Sequence, residues 1–164
     1  MIRLRFQGDK IMIMQAFGNK REHLNILDYK RMPKKCGVYV LVYVENGKPK
    51  AFTRLNGTDD EGILLIGKAV NLRRRVREFY KDILSEGLKE KYHSEGWNFR
   101  AYFRDNQNPN AMKLKLENIW VYWVVMENEK QAYQFETQLI QNYVTNFQDK
   151  PPLNINIKRQ RNTN

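Results

Sequence analysis

Cysteine and histidine are almost absent from this chain of 164 residues, which contains one cysteine and two histidines. A single cysteine cannot form an internal disulfide. We expect Cys36, just before a strand, to be a small buried side chain rather than a reactive thiol. Structural zinc is usually held by four Cys or His ligands, so the composition argues against a structural zinc site.

Long apolar runs are also missing. No stretch of the sequence is long enough to span a bilayer, and no segment has the pattern of an amphipathic membrane helix. The short run from Ile11 to Met14 is too brief and interrupted for the core of a signal peptide. We therefore expect an intracellular, cytoplasmic protein without a membrane partner.

Acidic residues are outnumbered, with 18 Asp and Glu against 29 Lys and Arg, for a net charge of +11. The hydrophobic content of 41% is typical of a folded domain and not of a disordered basic tail. The length fits one domain. A folded, basic protein favours a polyanionic partner, and nucleic acid is the commonest polyanion inside cells.

Apolar alternation predicts the first core strand from Gly37 to Val44, with four valines on one face and Tyr39, Leu41 and Tyr43 on the other. The turn signal Glu45-Asn46-Gly47 follows. Lys48 to Leu55 is predicted to be a second strand.

The segment ahead of this strand is predicted to add two further elements. Alternation over residues 2–7 predicts a hairpin whose second strand is Ile11 to Met14. Arg21 to Tyr29 is predicted to be a helix with Leu24 and Leu27 facing inward. The sequence leaves open whether this segment adds a sheet edge, a dimer contact or a DNA-contacting arm.

A basic helix is predicted behind Asn71, whose side-chain oxygen can cap the first turn. Its arginines lie near the positive end of the helix dipole, which suggests a bound anion. A solvated basic face is the simpler interpretation of an isolated cluster. The predicted apolar face consists of Leu72, Val76, Phe79 and Ile83, and the arginines are Arg73, Arg74, Arg75 and Arg77.

Later elements are a helix end near Gly87, strands at Trp97 to Phe103 and Ile119 to Met126, and a last helix capped by Asn128. Glu136 lies among the apolar positions of that last helix. A lone carboxylate there is costly unless it is paired or binds a metal. Both a structural salt bridge, for instance to Arg75, and a metal site therefore stay open.

Five short motifs occur in an order that resembles the GIY-YIG nuclease domain, in the form found at the start of the bacterial excision-repair incision nuclease. The resemblance covers about Pro33 to Asn154. The motifs are Gly37-Val38-Tyr39, Leu65-Ile66-Gly67, the glycine-to-arginine segment from Gly67 to Val76, the helix segment from Ala132 to Ile140, and Pro151-Pro152-Leu153-Asn154.

The resemblance implies an α+β fold with a small antiparallel β-sheet flanked by helices. The family joins its two signatures by a shorter hairpin, so residues between them form an insertion between the first two core strands. We expect residues 1–32 to be an N-terminal extension packed on the core, 33–156 the GIY-YIG-like domain, and 157–164 a basic tail.

The resemblance also implies the site residues of a metal-dependent endonuclease that hydrolyses phosphodiester bonds in DNA. Tyr39 would activate the attacking water, and Arg75 would stabilise the pentacoordinate transition state. Glu136 would bind Mg²⁺ or Mn²⁺, which prefer oxygen ligands. Lys68 would contact a phosphate, and Asn154 would support the site by hydrogen bonding.

The neighbouring arginines have a softer assignment. Arg73, Arg74 and Arg77 either bind flanking phosphates of nucleic acid or face solvent. Tyr39 is itself a weak base at an ordinary tyrosine pKa of ~10, so nearby cations would have to favour its phenolate; Lys68 and Arg75 are the candidates.

Two positions depart from the family pattern. Leu65 stands where the second signature has tyrosine, and Phe79 stands where some members have histidine. Leucine can neither hydrogen-bond a water nor transfer a proton. Three alternatives follow: Tyr39 suffices as the base, Tyr80 takes over the missing role, or the protein is a catalytically impaired nucleic-acid-binding protein that retains the fold.

Overall fold

The computed structural model describes residues 12–18, 21–84 and 114–154. The first strand of the predicted N-terminal hairpin, the helix end near Gly87, the strand from Trp97 to Phe103 and the basic tail lie outside these ranges. The domain boundaries proposed from the sequence therefore stay predictions.

Five antiparallel strands form the central sheet. The first (Glu22–Asn25, β1), the last (Ile119–Val125, β7), the long central strand (Gly37–Glu45, β2) and Ile63–Ala69 (β6) lie side by side in that order, and the two-residue strand Lys48–Pro49 (β3) also pairs with β2. Helices lie on both faces of this sheet. This arrangement confirms the predicted α+β class. The strands are β1 (Glu22–Asn25), β2 (Gly37–Glu45), β3 (Lys48–Pro49), β4 (Phe52–Thr53), β5 (Thr58–Asp59), β6 (Ile63–Ala69) and β7 (Ile119–Val125). The helices are α1 (Ile13–Ala16), α2 (Leu72–Leu84) and α3 (Glu129–Phe147), with 3₁₀ turns at Ile26–Arg31 and Leu116–Asn118.

The central strand β2 is buried on both faces, as its alternation predicts. Tyr39, Leu41 and Tyr43 belong to the apolar cluster that includes the buried face of α2. The valines of the same strand belong to a second cluster, which includes Ala132 and Leu139 of α3. The sheet is therefore the middle layer of three, and each face of β2 has its own helix.

Helix α2 begins as the sequence predicts. The Asn71 side-chain oxygen accepts a hydrogen bond from the Arg74 amide at 2.9 Å. The amides of Leu72 and Arg73 donate to the Lys35 and Pro33 carbonyls, in the loop before β2, at 3.0 and 3.1 Å. These two amides of the first turn already donate to protein acceptors. An anion at this end of the helix would therefore be bound by the arginine side chains and not by these backbone groups.

Helix α3 also begins with the predicted cap. The Asn128 side chain accepts from the Gln131 amide at 3.0 Å, and the Gln131 side chain accepts from the Glu127 amide at 3.4 Å. The helix ends before Gln148, which adopts a left-handed conformation with φ of 52°. No helix in the part of the chain that the structure describes is long and apolar enough to cross a bilayer.

Two predictions for the N-terminal segment are wrong. Ile13–Ala16 is helical and not part of a strand. The predicted helix from Arg21 to Tyr29 is instead the strand β1 followed by a 3₁₀ turn, and Leu27 is 50% exposed. Strand pairing explains the difference. β1 forms backbone hydrogen bonds with the edge of β7, whereas a short isolated helix is only marginally stable. This segment forms a sheet edge.

The insertion between β2 and β6 also differs from prediction, because Lys48 to Leu55 is not one strand. Only two residues, β3, pair with β2. The Lys50 amide still donates to the Tyr43 carbonyl at 2.8 Å, but the Tyr43 amide donates to the Gly62 carbonyl at 2.9 Å and not to this segment, so the ladder ends there. The short strands β4 and β5 then form a separate two-stranded hairpin.

The hairpin of the insertion is held against the C-terminal end of α3. The Asn56 amide donates to the Phe147 carbonyl at 2.9 Å, and Arg54 forms an ion pair with Asp149. The buried carboxylate of Asp59 accepts a hydrogen bond from the Tyr143 hydroxyl at 2.9 Å. The insertion is therefore anchored at the end of the sheet opposite to Gly37.

Candidate active site

Tyr39, the third residue of β2, faces the α2 side of the sheet and is only 1% exposed. Its direct neighbour in β6 is Gly67. A Cβ atom added at Gly67 would lie 2.8 Å from both Cζ and the hydroxyl oxygen of Tyr39. The glycine of the second signature is therefore required by the ring of the first signature, which packs directly over it.

Arg75 joins Tyr39 from the adjacent helix. It lies half-buried on α2, and its Nε donates a hydrogen bond to the Tyr39 hydroxyl oxygen at 3.3 Å. A cationic donor next to a phenol favours the phenolate over the neutral form. The structure thus brings together two residues that the sequence had assigned to one site from motifs far apart in the chain.

Asn154 binds the strand that carries Gly67. Its side-chain amide donates to the Ile66 carbonyl at 2.7 Å, and its side-chain oxygen accepts from the Ile66 amide at 2.9 Å. The Leu153 amide adds a bond to the Leu64 carbonyl at 2.9 Å. Because these contacts satisfy the outer edge of β6, Asn154 fixes the position of this strand beside Tyr39.

Lys68 lies on the other face of the sheet. It pairs with Val38 and not with Tyr39, and its exposed ammonium is 5.8 Å from the centroid of the Tyr133 ring on α3. Of the two cations expected beside the Tyr39 hydroxyl, the structure places Arg75 there. Lys68 contacts α3.

Glu136 lies half-buried on the inward stripe of α3, one turn after Ala132, one turn before Leu139 and two turns before Tyr143. The helix packs against β6 and β2. Within residues 12–18, 21–84 and 114–154 no three His, Cys, Asp or Glu side chains are grouped to hold a metal. Among these residues a cation at Glu136 would therefore have at most one further ligand of these types, with waters and a phosphate to complete its shell, which suits Mg²⁺.

The remaining arginines of α2 differ from one another. Arg73 is half-buried, and its Nε donates to the Met32 carbonyl at 2.6 Å, so it ties the helix to the loop before β2. Arg74 is exposed, with its Nε 3.9 Å from a Glu78 carboxylate oxygen. Arg77 is also exposed. Arg74 and Arg77 are accessible cations, whereas Arg73 has a structural contact.

The residues that depart from the family pattern lie in apolar surroundings in the structure. Leu65 is 1% exposed and pairs with Leu41 in the core on the α2 face. Phe79 is 3% exposed. The Tyr80 ring packs 5.2 Å from the ring of Tyr29, beside the same core.

Two features of this region are not among those that the sequence predicts. Tyr133 is 59% exposed although it is a large aromatic residue, and its position off the stripe of Ala132 and Leu139 was the available signal. Gly37 is tightly enclosed, since an added Cβ would lie 2.3 Å from the Val124 carbonyl oxygen. A glycine at the start of a strand that is buried on both faces indicates such a close backbone approach.

A cavity of about 320 Å³ lies elsewhere, between α1, the turn at Asp60-Glu61 and Tyr122. Arg21 lines it, and the Glu61 carboxylate accepts the Ile13 and Met14 amides at 2.7 and 2.8 Å beside it. The predicted site residues do not line this cavity.

Comparison with known proteins places these features in context. No family model matches the chain. In sequence it is 24% identical over 135 residues to the UvrABC system protein C of Methanothermobacter thermautotrophicus, an alignment that covers 81% of this chain and 15% of that protein. The α+β fold of the structure is also the one that the ordered motifs imply. The chain has a GIY-YIG-like domain.

The GIY-YIG-like domain also matches solved structures of the GIY-YIG N-terminal endonuclease domain of UvrC from Thermotoga maritima. Three of these are point mutants bound to the catalytic divalent cation. Their identities to this chain are 19%, 17% and 18%, with TM-scores of 0.36, 0.36 and 0.37. Each match covers 79% of this chain and 92% to 94% of the solved chain.

Proposed function

We propose that this protein is a metal-dependent endonuclease that hydrolyses phosphodiester bonds in DNA through a GIY-YIG-type site. The observation that carries the proposal is the hydrogen bond from Arg75 to the Tyr39 hydroxyl, directly beside Gly67. The similarity to UvrC and the divalent cation of the UvrC domains support it. The net charge of +11 fits a polyanionic substrate.

In this proposal Tyr39 acts as its phenolate and accepts a proton from the attacking water. A new bond forms between the water oxygen and phosphorus, in line with the bond from phosphorus to the leaving oxygen. That second bond breaks, and the leaving oxygen keeps its electron pair and takes up a proton from solvent. Arg75 holds non-bridging oxygens of the phosphate as negative charge develops. Asn154 keeps β6 in place beside Tyr39.

Glu136 is the residue that would hold the divalent cation, because it is a half-buried carboxylate on the helix packed against β6. When bound, Mg²⁺ or Mn²⁺ supplies charge neutralisation at the phosphate and the leaving oxygen. Lys68, Arg74 and Arg77 are proposed to bind phosphates of the same strand or its neighbour.

A second candidate function is favoured by one specific observation. Leu65 is fully buried in the core and Phe79 is nearly so, and neither has a group that transfers protons. A catalytically impaired nucleic-acid-binding protein that retains the fold and its exposed cations would tolerate these residues. The two candidates make different predictions for cleavage.

Single-turnover cleavage with Mg²⁺ or Mn²⁺ separates them, on duplex, branched and single-stranded DNA. Tyr39→Phe keeps the ring beside Gly67 but removes the proton acceptor, so the rate should fall ~100- to 10,000-fold. Glu136→Gln keeps the size of the side chain and removes the charge that holds the cation. Its rate should fall by orders of magnitude while DNA binding survives.

Tyr80→Phe is the matched control, since it removes a tyrosine hydroxyl from α2, the helix that carries Arg75. It should cleave at the wild-type rate. If Tyr80→Phe alone is inactive, the base is not Tyr39. If the wild-type protein cuts none of these substrates in Mn²⁺, the binding-only function is correct.

A further inference from the structure

Tyr133 is the one large aromatic side chain that the described part of the chain leaves more than half exposed, at 59%. Its ring lies 5.8 Å from the Lys68 ammonium, near the outer limit of a cation–π contact. An exposed contact of this kind adds little to stability. Burial and packing therefore do not account for an aromatic residue at this position.

Its location relates it to the candidate active site. Lys68 follows Gly67 in β6, and Tyr133 lies one helical turn before Glu136 on α3. Exposed apolar residues lie at the same end of the sheet, because Gly37 pairs with Ala69 on one side and Val125 on the other. Val125 is 39% exposed and Val70, next to Ala69, is 54% exposed.

This end of the sheet is also basic. Four exposed lysines lie there against two exposed glutamates, so its formal charge is +2, from four positive and two negative groups. The lysines are Lys34, Lys35, Lys68 and Lys130, and the glutamates are Glu127 and Glu129. An exposed ring, exposed apolar groups and an excess of cations together match the chemistry of a nucleotide, which has an apolar base face beside a negative phosphate.

We propose that Tyr133 and Lys68, here named the stacking pair, bind an unpaired nucleotide of the substrate, with its base on the Tyr133 ring and its phosphate at Lys68. This inference rests on the proposed function and specifies its substrate class, which is DNA with a single-stranded or displaced nucleotide beside the site. Bases inside a continuous duplex already stack on each other, so the Tyr133 ring adds no stacking contact to them. An unpaired base gains a stacking partner.

The test measures equilibrium binding in excess chelator, so that cleavage does not contribute. The probes are one labelled single strand and the blunt duplex of the same sequence. Tyr133→Ala should weaken single-strand binding roughly 5- to 150-fold, the range that base–aromatic stacking spans. Blunt-duplex binding should change less than about 2-fold. Tyr133→Phe keeps the ring and should bind the single strand like the wild type.

Lys68→Gln should lower the salt slope on the single strand by about 0.7, as expected for one lost phosphate contact. Leu55→Ala is the matched control, because Leu55 is 80% exposed on the insertion at the other end of the sheet. It should leave both affinities unchanged. The inference is overturned if Tyr133→Ala weakens both probes equally or neither.

Failure of the stacking pair and failure of the nuclease proposal can be told apart. If the wild type cleaves DNA and Tyr133→Ala binds both probes like the wild type, only the proposal for the stacking pair is overturned. Selective loss of single-strand binding in a protein that never cleaves overturns the nuclease function and upholds the stacking pair.

Discussion

Gly67 shows how a residue without a side chain can define a site. The ring of Tyr39 occupies the space that any larger residue at position 67 would need. The ring is 1% exposed, so it cannot swing into solvent to make room without opening the core. The geometry of the Tyr39–Arg75 hydrogen bond therefore depends on this glycine.

Gly67→Ala should destabilise the fold by about 1–3 kcal/mol, the usual cost of overpacking a core, and should lower any cleavage rate by displacing Tyr39. Urea denaturation measures the first effect. Tyr39→Leu provides the control background, because it removes the ring that the new methyl group meets. The stability cost of Gly67→Ala should be smaller there. An equal cost in both backgrounds would show that the methyl group clashes with something else.

At the scale of elements, the insertion depends on two buried carboxylates. Asp59 accepts hydrogen bonds from the amides of Glu61 and Ile63 and from the Tyr143 hydroxyl. Glu61 accepts the Ile13 and Met14 amides, so it links the insertion to α1. Their spacing before Gly62 in the sequence does not reveal that they are buried.

Burial raises the pKa of both Asp59 and Glu61 above the ordinary values, although their hydrogen bonds act in the opposite direction. A raised carboxyl pKa means that the folded state holds its proton when the unfolded state has released it. The contribution of Asp59 to stability should therefore fall as pH rises from the unfolded value of 3.8 through the raised folded value. Arg54, Tyr143 and Glu61 are the charged or titratable groups that act on it.

Asp59→Asn removes this titration. The stability of the wild type relative to Asp59→Asn should be greater at about pH 4 than at about pH 7, measured by urea denaturation at each pH. Asp60→Asn is the matched control, since it neutralises an exposed neighbouring carboxylate. If both variants gave the same trend, burial of Asp59 would not be its cause.

On the scale of the whole molecule, charge and architecture are arranged together. The three-layer packing uses the apolar face of α2 for the core and leaves Arg74 and Arg77 in solvent. Arg73, on the same helix, is tied to the Met32 carbonyl. Only part of the positive charge of α2 is therefore available to a polyanion, because Arg74 and Arg77 are accessible whereas Arg73 has a structural contact.

Salt titration of duplex DNA binding should reveal this division. Arg77→Ala should lower the salt slope by about 0.9 with unchanged thermal stability, as expected for one lost phosphate contact. Arg73→Ala should lower the melting temperature, because it loses the bond that ties α2 to the loop before β2. Lys48→Ala on the insertion is the control for an exposed cation away from α2. A salt slope that Arg77→Ala leaves unchanged would remove Arg77 from the DNA-binding surface.

Local patterns in the sequence determined the central strand, the two capped helices and their inward faces. Alternation placed Tyr39 and the valines of β2 on opposite faces, and helical spacing identified the buried face of α2. Asn71 and Asn128 form the caps that their positions predict. These features depend on residues a few positions apart, so short-range sterics and hydrogen bonding suffice to specify them.

Only the tertiary structure decided the features that depend on strand pairing. Arg21 to Tyr29 became a strand and a 3₁₀ turn because β7 offers it an edge. Lys48 to Leu55 is not one strand, because the Tyr43 amide bonds to Gly62 and not to this segment. The register of β2 and β6 placed Gly67 beside Tyr39 and sent Lys68 to the opposite face, next to Tyr133. Such contacts join residues distant in the chain, and a register is set by the whole sheet and not by the local sequence.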